Sequence, residues 1–214
     1  MIPLKATLVG RLLLMDHCEI TAVVLAGGRS SRLGVDKAGL KLDNAKTLLE
    51  GVVDKMKCLS TDVVVVADAV IELDGTRRVN DALPGGGSLW GLYSGLMAAR
   101  YPRCLVVACD MPFLNLRLLR YMIERLCDYD ALVPLLGERA HSLELHPLHA
   151  IYTKHCLVAI EQVFASGSKK IRDLYPLVKT VYLNKKEVAT FDPDGLSFFN
   201  INTPQDLARA RAIV

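Results

Sequence analysis

The sequence predicts an α/β protein: one Rossmann-like domain of three layers, in which helices cover both faces of a mostly parallel sheet. Four short runs of aliphatic and β-branched residues predict strands that are buried on both faces: residues 23–25, 63–67, 104–109 and 131–134. Segments with apolar residues at helical spacing lie between these runs, and this alternation is typical of parallel sheets. A length of 214 residues suits a single domain of this kind.

Helices and loops of the first half follow from apolar spacing and from turn residues. Three segments carry apolar residues on one helical face: residues 46–59, 88–100 and 116–126. Ser88 is expected to cap the second of these helices, because a serine side chain can accept a hydrogen bond from a first-turn amide. Residues 77–81 predict a short strand, and a glycine run follows at 84–87.

The second half of the chain is less regular. Further strands are expected at residues 148–152, around Tyr182, and at 188–191 and 198–201. Helices are expected over residues 154–165 and 171–178, and a last helix begins at Thr203-Pro204, where threonine is the cap and proline suits the first turn. A polar loop over residues 137–146 is expected near the functional site, and a turn at 192–195.

Composition excludes several classes of protein. Hydrophobic residues make up 51% of the chain and charged residues 23%, which argues against disorder. A net charge of +3, without a basic run interleaved with aromatic residues, argues against nucleic-acid binding. No apolar stretch reaches the length of a membrane span. The partners expected from composition are therefore small molecules, and neither a nucleic acid nor a membrane.

The cysteines and the first residues bear on cell location and domain boundaries. None of the six cysteines forms a C-x-x-C pair, which favours reduced thiols in a cytoplasmic protein over a disulfide framework. The apolar residues near the start are split by Gly10-Arg11, and no small-residue cleavage site follows, so a signal peptide is not expected. We expect residues 1–14 to be an N-terminal extension and the domain to span residues 15–214.

A glycine-rich loop directly after the first strand predicts a phosphate site. Residues 25–37 read L-A-G-G-R-S-S-R-L-G-V-D-K. Gly27 and Gly28 leave backbone N–H groups open to a ligand, and Arg32 and Lys37 add positive charge. The spacing fits neither the P-loop pattern G-x-x-x-x-G-K-[ST] nor the dinucleotide pattern G-x-G-x-x-G.

Asp110 is the candidate metal ligand. It directly follows the predicted strand 104–109, at the carboxyl edge of the sheet where ligands bind in such folds. Mg²⁺ prefers one or two carboxylates together with phosphate oxygens, so a single aspartate beside a phosphate site is chemically suitable. The alternative is an aspartate that only caps its loop.

Three motifs in this order resemble the MobA-like nucleotidyltransferases. They are the loop at residues 25–37, the segment C-D-M-P-F at 109–113 and the segment F-F-N-I-N-T-P at 198–204. Departures from the family pattern include Leu33 in place of methionine, and Ser88 and Trp90 in the element G-P-L-x-G-L. The resemblance implies a fold like that of the nucleotide-diphospho-sugar transferases.

The resemblance also implies an activity: transfer of GMP from GTP to the phosphate of molybdopterin, which gives the guanine dinucleotide cofactor and pyrophosphate, with Mg²⁺ as cofactor. Other molybdenum cofactor assembly proteins and the recipient molybdoenzymes are the protein partners that it suggests. Three alternatives stay open: a cytidylyltransferase for the same pterin, a nucleotidyltransferase for another phosphorylated small molecule, and a non-catalytic nucleotide-binding delivery protein.

Site residues follow from the same resemblance. Those assigned to the nucleotide are Leu25, Ala26, Gly27, Gly28, Lys37, Asp81 and Asp110. Those assigned to catalysis are Arg32, Lys37 and Asp110, the last as the metal ligand. Asn200 and Asn202 are assigned to the acceptor, because amides two apart in a strand point to the same side. Their alternative is a turn-forming pair, as it is for Asp81. His149 is expected to be either packed in a strand or turned toward substrate.

Overall fold

A computed structural model describes residues 19–26, 39–42, 46–68, 72–81, 86–125, 128–139 and 142–213. The predicted extension, residues 1–14, lies outside these ranges. The described residues contain a central sheet whose strands, in chain order, are β1 (Ile20–Leu25), β2 (Asp62–Val66), β3 (Arg77–Val79), β4 (Arg103–Ala108), β5 (Ala131–Arg139), β6 (Ser142–Leu145), β7 (His149–Thr153) and β8 (Thr180–Asn184).

The sheet is mixed but mostly parallel. Its order is β3-β2-β1-β4-β7-β5-β6, and β8 pairs with β5. Strands β1 to β5 and β8 run in one direction, while β6 and β7 run in the other. The predicted α/β class with a mostly parallel sheet is therefore confirmed.

Helices cover both faces of the sheet. In chain order they are α1 (Leu48–Lys57), α2 (Ser88–Ala98), α3 (Leu116–Glu124), α4 (Cys156–Ala165), α5 (Lys185–Ala189) and α6 (Pro204–Ile213), with short 3-10 helices at Ile171–Leu177 and Leu196–Phe198. Side chains of a strand alternate between faces. Val24 thus packs in the core formed with α1, α3 and α5, and Val23 in the core formed with α2 and α4. This arrangement is the predicted three-layer architecture.

Two glycines allow helix α2 to pack closely on β1. A Cβ atom on Gly95 would lie 2.4 Å from Cγ1 of Val23, and one on Gly91 would lie 3.4 Å from Cδ1 of Leu25. Only glycine fits at position 95 without a shift of the backbone, because Val23, which a Cβ atom would meet, belongs to the buried core. Among the described residues, no helix is long and apolar enough to cross a bilayer.

Helix α2 starts at Ser88 as predicted, but the prediction that Ser88 caps it was wrong. Gly87, with φ at 75°, occupies the cap position, and Ser88 is the first residue of the helix. Backbone with positive φ is favourable for glycine and strained for serine, so the chain turns at Gly87 and becomes helical one residue later. The helix begins without a side-chain hydrogen bond at its cap.

Residues 137–146, predicted to be a polar loop, contain a β-hairpin. Arg139 of β5 pairs with Ser142 of β6. Cys104 and Ala131 both pair with Tyr152, so they lie level in the sheet; β4 ends four residues later, whereas β5 continues for eight. The hairpin therefore extends about 13 Å past the end of β4, at the carboxyl edge. The hairpin was not predicted because its residues are polar, and backbone pairing outside the core needs no apolar side chains.

Two other strand predictions were wrong. Val188 and Ala189 end α5, and a turn follows at residues 190–191, because Asn184 and Glu187 form a reciprocal capping box that starts a helix just before them. Residues 198–201 contain the end of a 3-10 helix followed by irregular backbone. Residues 171–178 are also a 3-10 helix rather than an α-helix, and Pro176 lies within it. The last helix starts at Pro204 as predicted, with Thr203 Oγ1 accepting from the Asp206 N–H.

Candidate active site

The carboxyl ends of the parallel strands meet at one edge of the sheet. Leu25 of β1 pairs with Val66 of β2 on one side and with Ala108 of β4 on the other. Beyond the strands, the Ala26 N–H donates to the Val66 carbonyl at 2.9 Å, and the Cys109 N–H donates to the Leu25 carbonyl at 3.0 Å. The chain therefore enters the predicted phosphate loop directly beside the residue that precedes Asp110.

The predicted phosphate loop itself is only partly described. Leu25 is buried at the end of β1, and Ala26 is half-buried just beyond it. Gly27, Gly28, Arg32 and Lys37 lie outside the described residues, so their assignments stay predictions. What the structure places is the point where this loop leaves the sheet.

Asp110 lies at the ligand edge on a loop that is fixed from two sides. Its backbone carbonyl accepts from the Ile201 N–H at 3.0 Å. The following residues are held by Lys55 of α1, whose ammonium donates to the carbonyls of Pro112 at 2.6 Å and Leu114 at 3.2 Å. Burial lowers the pKa of Lys55, and the two carbonyls accept hydrogen bonds from its ammonium. Sequence reasoning missed Lys55, because nothing in its spacing distinguishes it from a surface lysine.

The chemistry of Asp110 fits a divalent metal. Within the described ranges no cluster of three or more histidine, cysteine or acidic side chains forms a metal site. A half-buried carboxylate at the edge where the predicted phosphate loop begins still suits Mg²⁺, since phosphate oxygens and water could complete the coordination of the ion.

Asp81 lies at the same edge, two residues beyond β3. Its Oδ1 accepts from the Ser94 hydroxyl at 3.3 Å, and the same hydroxyl lies 2.9 Å from the Trp90 carbonyl. Ser94 thus connects Asp81 to α2. Sequence reasoning did not single out Ser94, which is a small polar residue in an otherwise apolar helix.

Trp90 packs between secondary elements. Its ring stacks on Phe164 of α4 with centroids 4.1 Å apart and meets Tyr93 edge-on at 4.8 Å. A Cβ atom on Gly86 would lie 1.9 Å from the indole, so Gly86 lies against this ring. The indole therefore packs the start of α2 against α4.

Asn200 and Asn202 flank the residue that bonds to Asp110. Ile201, between them, donates its N–H to the Asp110 carbonyl, so both asparagines are brought to the same edge. They are not in a strand, however, and the expectation that strand periodicity aligns their side chains was wrong. The Asn200 amide lies 3.2 Å from the Phe198 carbonyl, and the Asn202 N–H donates to Asp206 at the start of α6.

His149 is packed in the core rather than turned toward substrate. The side chain is fully buried at the start of β7, and burial lowers its pKa to about 3. Its Nε2 lies 2.7 Å from the hydroxyl of Ser197, and its ring contacts the ring of Phe198 at 4.4 Å. The imidazole is therefore neutral at physiological pH and shielded from solvent.

The amino-acid sequence matches that of a known protein family. A profile of the MobA-like NTP transferase domain matches residues 22–181, well over half of the chain. The chain belongs to this family. The match begins in β1 and ends in β8, so it contains Asp81, Asp110 and the predicted phosphate loop.

Individual proteins also align with this chain over nearly their whole length. A protein of Pelotomaculum thermopropionicum named a probable molybdenum cofactor guanylyltransferase is 38% identical over 198 residues, covering 91% of this chain and 93% of that protein. A molybdenum cofactor guanylyltransferase of Desulfosudis oleivorans is 32% identical, covering 91% and 96%. The crystal structure of molybdopterin-guanine dinucleotide biosynthesis protein A from Archaeoglobus fulgidus is 29% identical with a TM-score of 0.76, covering 90% and 97%.

Proposed function

We propose that this MobA-like chain transfers the GMP group of GTP to the terminal phosphate of molybdopterin. An oxygen of the acceptor phosphate attacks the α-phosphorus of GTP, the bond between the α-phosphorus and its bridging oxygen breaks, and pyrophosphate leaves. The names of the relatives support GTP and molybdopterin as the two substrates. Catalysis of this kind depends on positioning and charge neutralisation and needs no covalent enzyme intermediate.

One observation carries the proposal. The end of β1, where the phosphate loop departs, is hydrogen-bonded to the residue before Asp110, and Asp110 is in turn bonded to the segment with Asn200 and Asn202. Three regions that are far apart in sequence thus meet at one edge of the sheet. An enzyme that joins a triphosphate to a second phosphorylated molecule needs such a meeting point.

The roles we assign divide between the two substrates. Gly27, Gly28, Arg32 and Lys37 hold the triphosphate, Leu25 and Ala26 line the nucleotide, and Asp81 fixes the nucleoside. Asn200 and Asn202 meet the acceptor. Asp110 holds Mg²⁺. A bound Mg²⁺ ion offsets negative charge on the triphosphate and on the leaving pyrophosphate.

The cellular setting that we propose is the cytoplasm, where the four free cysteines that the structure describes would stay reduced. We take residues 15–214 as the catalytic domain. Assembly proteins of the cofactor and recipient molybdoenzymes are the protein partners proposed.

The direct test supplies each labelled nucleoside triphosphate in turn with molybdopterin and Mg²⁺, and measures release of pyrophosphate. We expect GTP to be used at least about tenfold faster than CTP, because the proposed nucleoside contacts select guanine. The Asp110→Asn variant should lose more than about 100-fold in kcat/KM, because the metal loses its charged ligand. Asp128→Asn is the matched control, since the Asp128 side chain is 94% exposed and lies before β5 at the opposite edge.

Three outcomes would contradict the proposal. A preference for CTP would make the chain a cytidylyltransferase. Binding of nucleotide without release of pyrophosphate would make it a delivery protein. Near-normal turnover of Asp110→Asn would remove Asp110 from the mechanism.

A further inference from the structure

Residues 197–201 pair with none of the strands in the described part of the chain. They contain the end of a three-residue 3-10 helix and run irregularly toward the start of α6. Asn200, within this segment, makes a local contact of 3.2 Å with the Phe198 carbonyl. The position of this side chain at the active edge must therefore be set by anchors elsewhere in the segment.

Two anchors are present, one at each end. At the far end, the Ile201 N–H donates to the carbonyl of Asp110 at 3.0 Å, and Ile201 is fully buried. At the near end, the Ser197 hydroxyl lies 2.7 Å from Nε2 of His149, and both residues are fully buried. His149 pairs with Val107 in β4, the strand that leads to Asp110. Both anchors thus attach the segment near the end of β4, one through Asp110 and the other through His149.

The Ser197 hydroxyl connects two neighbours. Its oxygen accepts from the Asn115 N–H at 2.9 Å. It also hydrogen-bonds to His149 Nε2, and the tautomer of the imidazole determines which of the two groups donates.

We propose that His149 is a positioning residue, which holds residues 197–201 against Asp110 through Ser197 and thereby sets where Asn200 meets the acceptor. The ring of Phe198, packed on His149 at 4.4 Å and on His146 at 4.6 Å, reinforces the near anchor. The inference rests on the proposed function only in taking Asn200 as an acceptor contact. The anchoring itself is a property of the free protein.

Amide hydrogen exchange tests the anchoring without any substrate. The probe is the Ile201 N–H, with the N–H of Val106 in β4 as the reporter of global stability. Ser197→Ala deletes one hydroxyl and leaves the ring in place. We expect the Ile201 amide to exchange at least about tenfold faster in this variant while Val106 is unchanged. Unchanged exchange at Ile201, or equal acceleration of both amides, would overturn the proposal, since the pair would then serve only general stability.

A matched pair of substitutions at His149 tests the chemistry of the anchor. In His149→Gln the terminal amide can reach the position of Nε2 and hydrogen-bond to Ser197 as donor or acceptor, whereas in His149→Asn the side chain is too short. The glutamine variant should keep wild-type exchange at Ile201, and the asparagine variant should resemble Ser197→Ala. Equal exchange at Ile201 in the two variants would overturn the role of the hydrogen bond at Nε2.

Kinetics separate this proposal from the proposed function. Ser197→Ala should raise the KM for molybdopterin about five- to tenfold, the value of one hydrogen bond, and leave the KM for GTP within about twofold. A variant that loses kcat with both KM values unchanged would contradict positioning. If the wild-type protein transfers no nucleotide, the proposed function fails, and the exchange measurements still decide whether His149 anchors the segment.

Discussion

At the scale of single residues, Asp62 shows how a buried charge is accommodated. Its side chain is 2% exposed at the start of β2, and it accepts from Thr21 at 2.7 Å and from the Arg77 guanidinium at 2.7 to 2.9 Å. The Arg100 N–H donates a further bond at 3.1 Å. Burial alone would raise the pKa of Asp62, but these donors outweigh it and hold the pKa below its usual value.

Arg77→Met should lower the free energy of unfolding by about 2–3 kcal/mol near pH 7, because Asp62 keeps its other donors but loses the guanidinium that bonds to it directly. Asp62 has a lower pKa in the folded chain than in the unfolded one, so its contribution is complete above about pH 4 and is lost as pH falls through the folded value. The difference between wild type and variant should therefore narrow near pH 3. Urea denaturation of the wild type and the variant, near pH 7 and near pH 3, measures this difference in the free energy of unfolding.

Arg100→Met is the control for that prediction. The Arg100 side chain is 65% exposed and its Nε is 3.7 Å from Asp62, so its loss should cost less than about 1 kcal/mol. An equal cost for the two arginine variants would contradict the importance of the direct bonds from Arg77.

At the scale of secondary elements, the contact of α2 with β1 depends on a missing side chain. A Cβ atom on Gly95 would collide with Val23, whereas a Cβ atom on Gly51 in α1 would have no other atom within 4 Å. Both glycines lie inside helices, where alanine is intrinsically favoured by about 1 kcal/mol. The two sites therefore separate helix propensity from packing.

Gly95→Ala should destabilise the protein by about 1–2 kcal/mol, because a methyl group 2.4 Å from a β-branched core residue forces α2 away from the sheet. Gly51→Ala should instead stabilise it by about 0.5–1 kcal/mol. Thermal melting of both variants is the measurement. A stabilising effect at both positions would mean that α2 can shift without cost.

At the scale of the whole molecule, residues beyond the family match complete the fold. The match ends at residue 181, yet Leu183 of β8 and Val188 of α5 belong to one of the two main cores. Ala210 of α6 joins Leu48 and Ile201 in a smaller cluster that also contacts Phe113. Helix α6 thus packs against the segment after Asp110 and against the segment that carries Asn200 and Asn202.

Ala210→Glu should lower the free energy of unfolding by about 2–4 kcal/mol, because a larger and charged side chain must enter a fully buried site. Ala208→Glu changes the same helix by the same substitution at an exposed position, and should stay within about 0.5 kcal/mol of wild type. Chemical denaturation of the two variants decides whether α6 is integral to the domain.

Local patterns in the chain were sufficient to predict the class of fold and the family. Strand and helix periodicity depends on near neighbours in sequence, and it located β1, β2, β4 and the helices that cover them. The motifs around Gly27, Asp110 and Asn200 are also short and continuous, which is why the family could be inferred from the amino-acid sequence. Asp110 at the carboxyl edge followed from its place after a buried strand.

Features that depend on contacts between distant segments emerged only in the folded chain. Two local features were also missed: the hairpin of β5 and β6, whose residues are polar, and helix α5, whose capping box joins Asn184 to Glu187 only three residues later. The anchoring of Ile201 to Asp110, of Ser197 to His149 and of Lys55 to the loop after β4 involves residues tens of positions apart. Hydrogen bonds across such separations leave no periodic trace in a sequence, so it is the tertiary fold that establishes them.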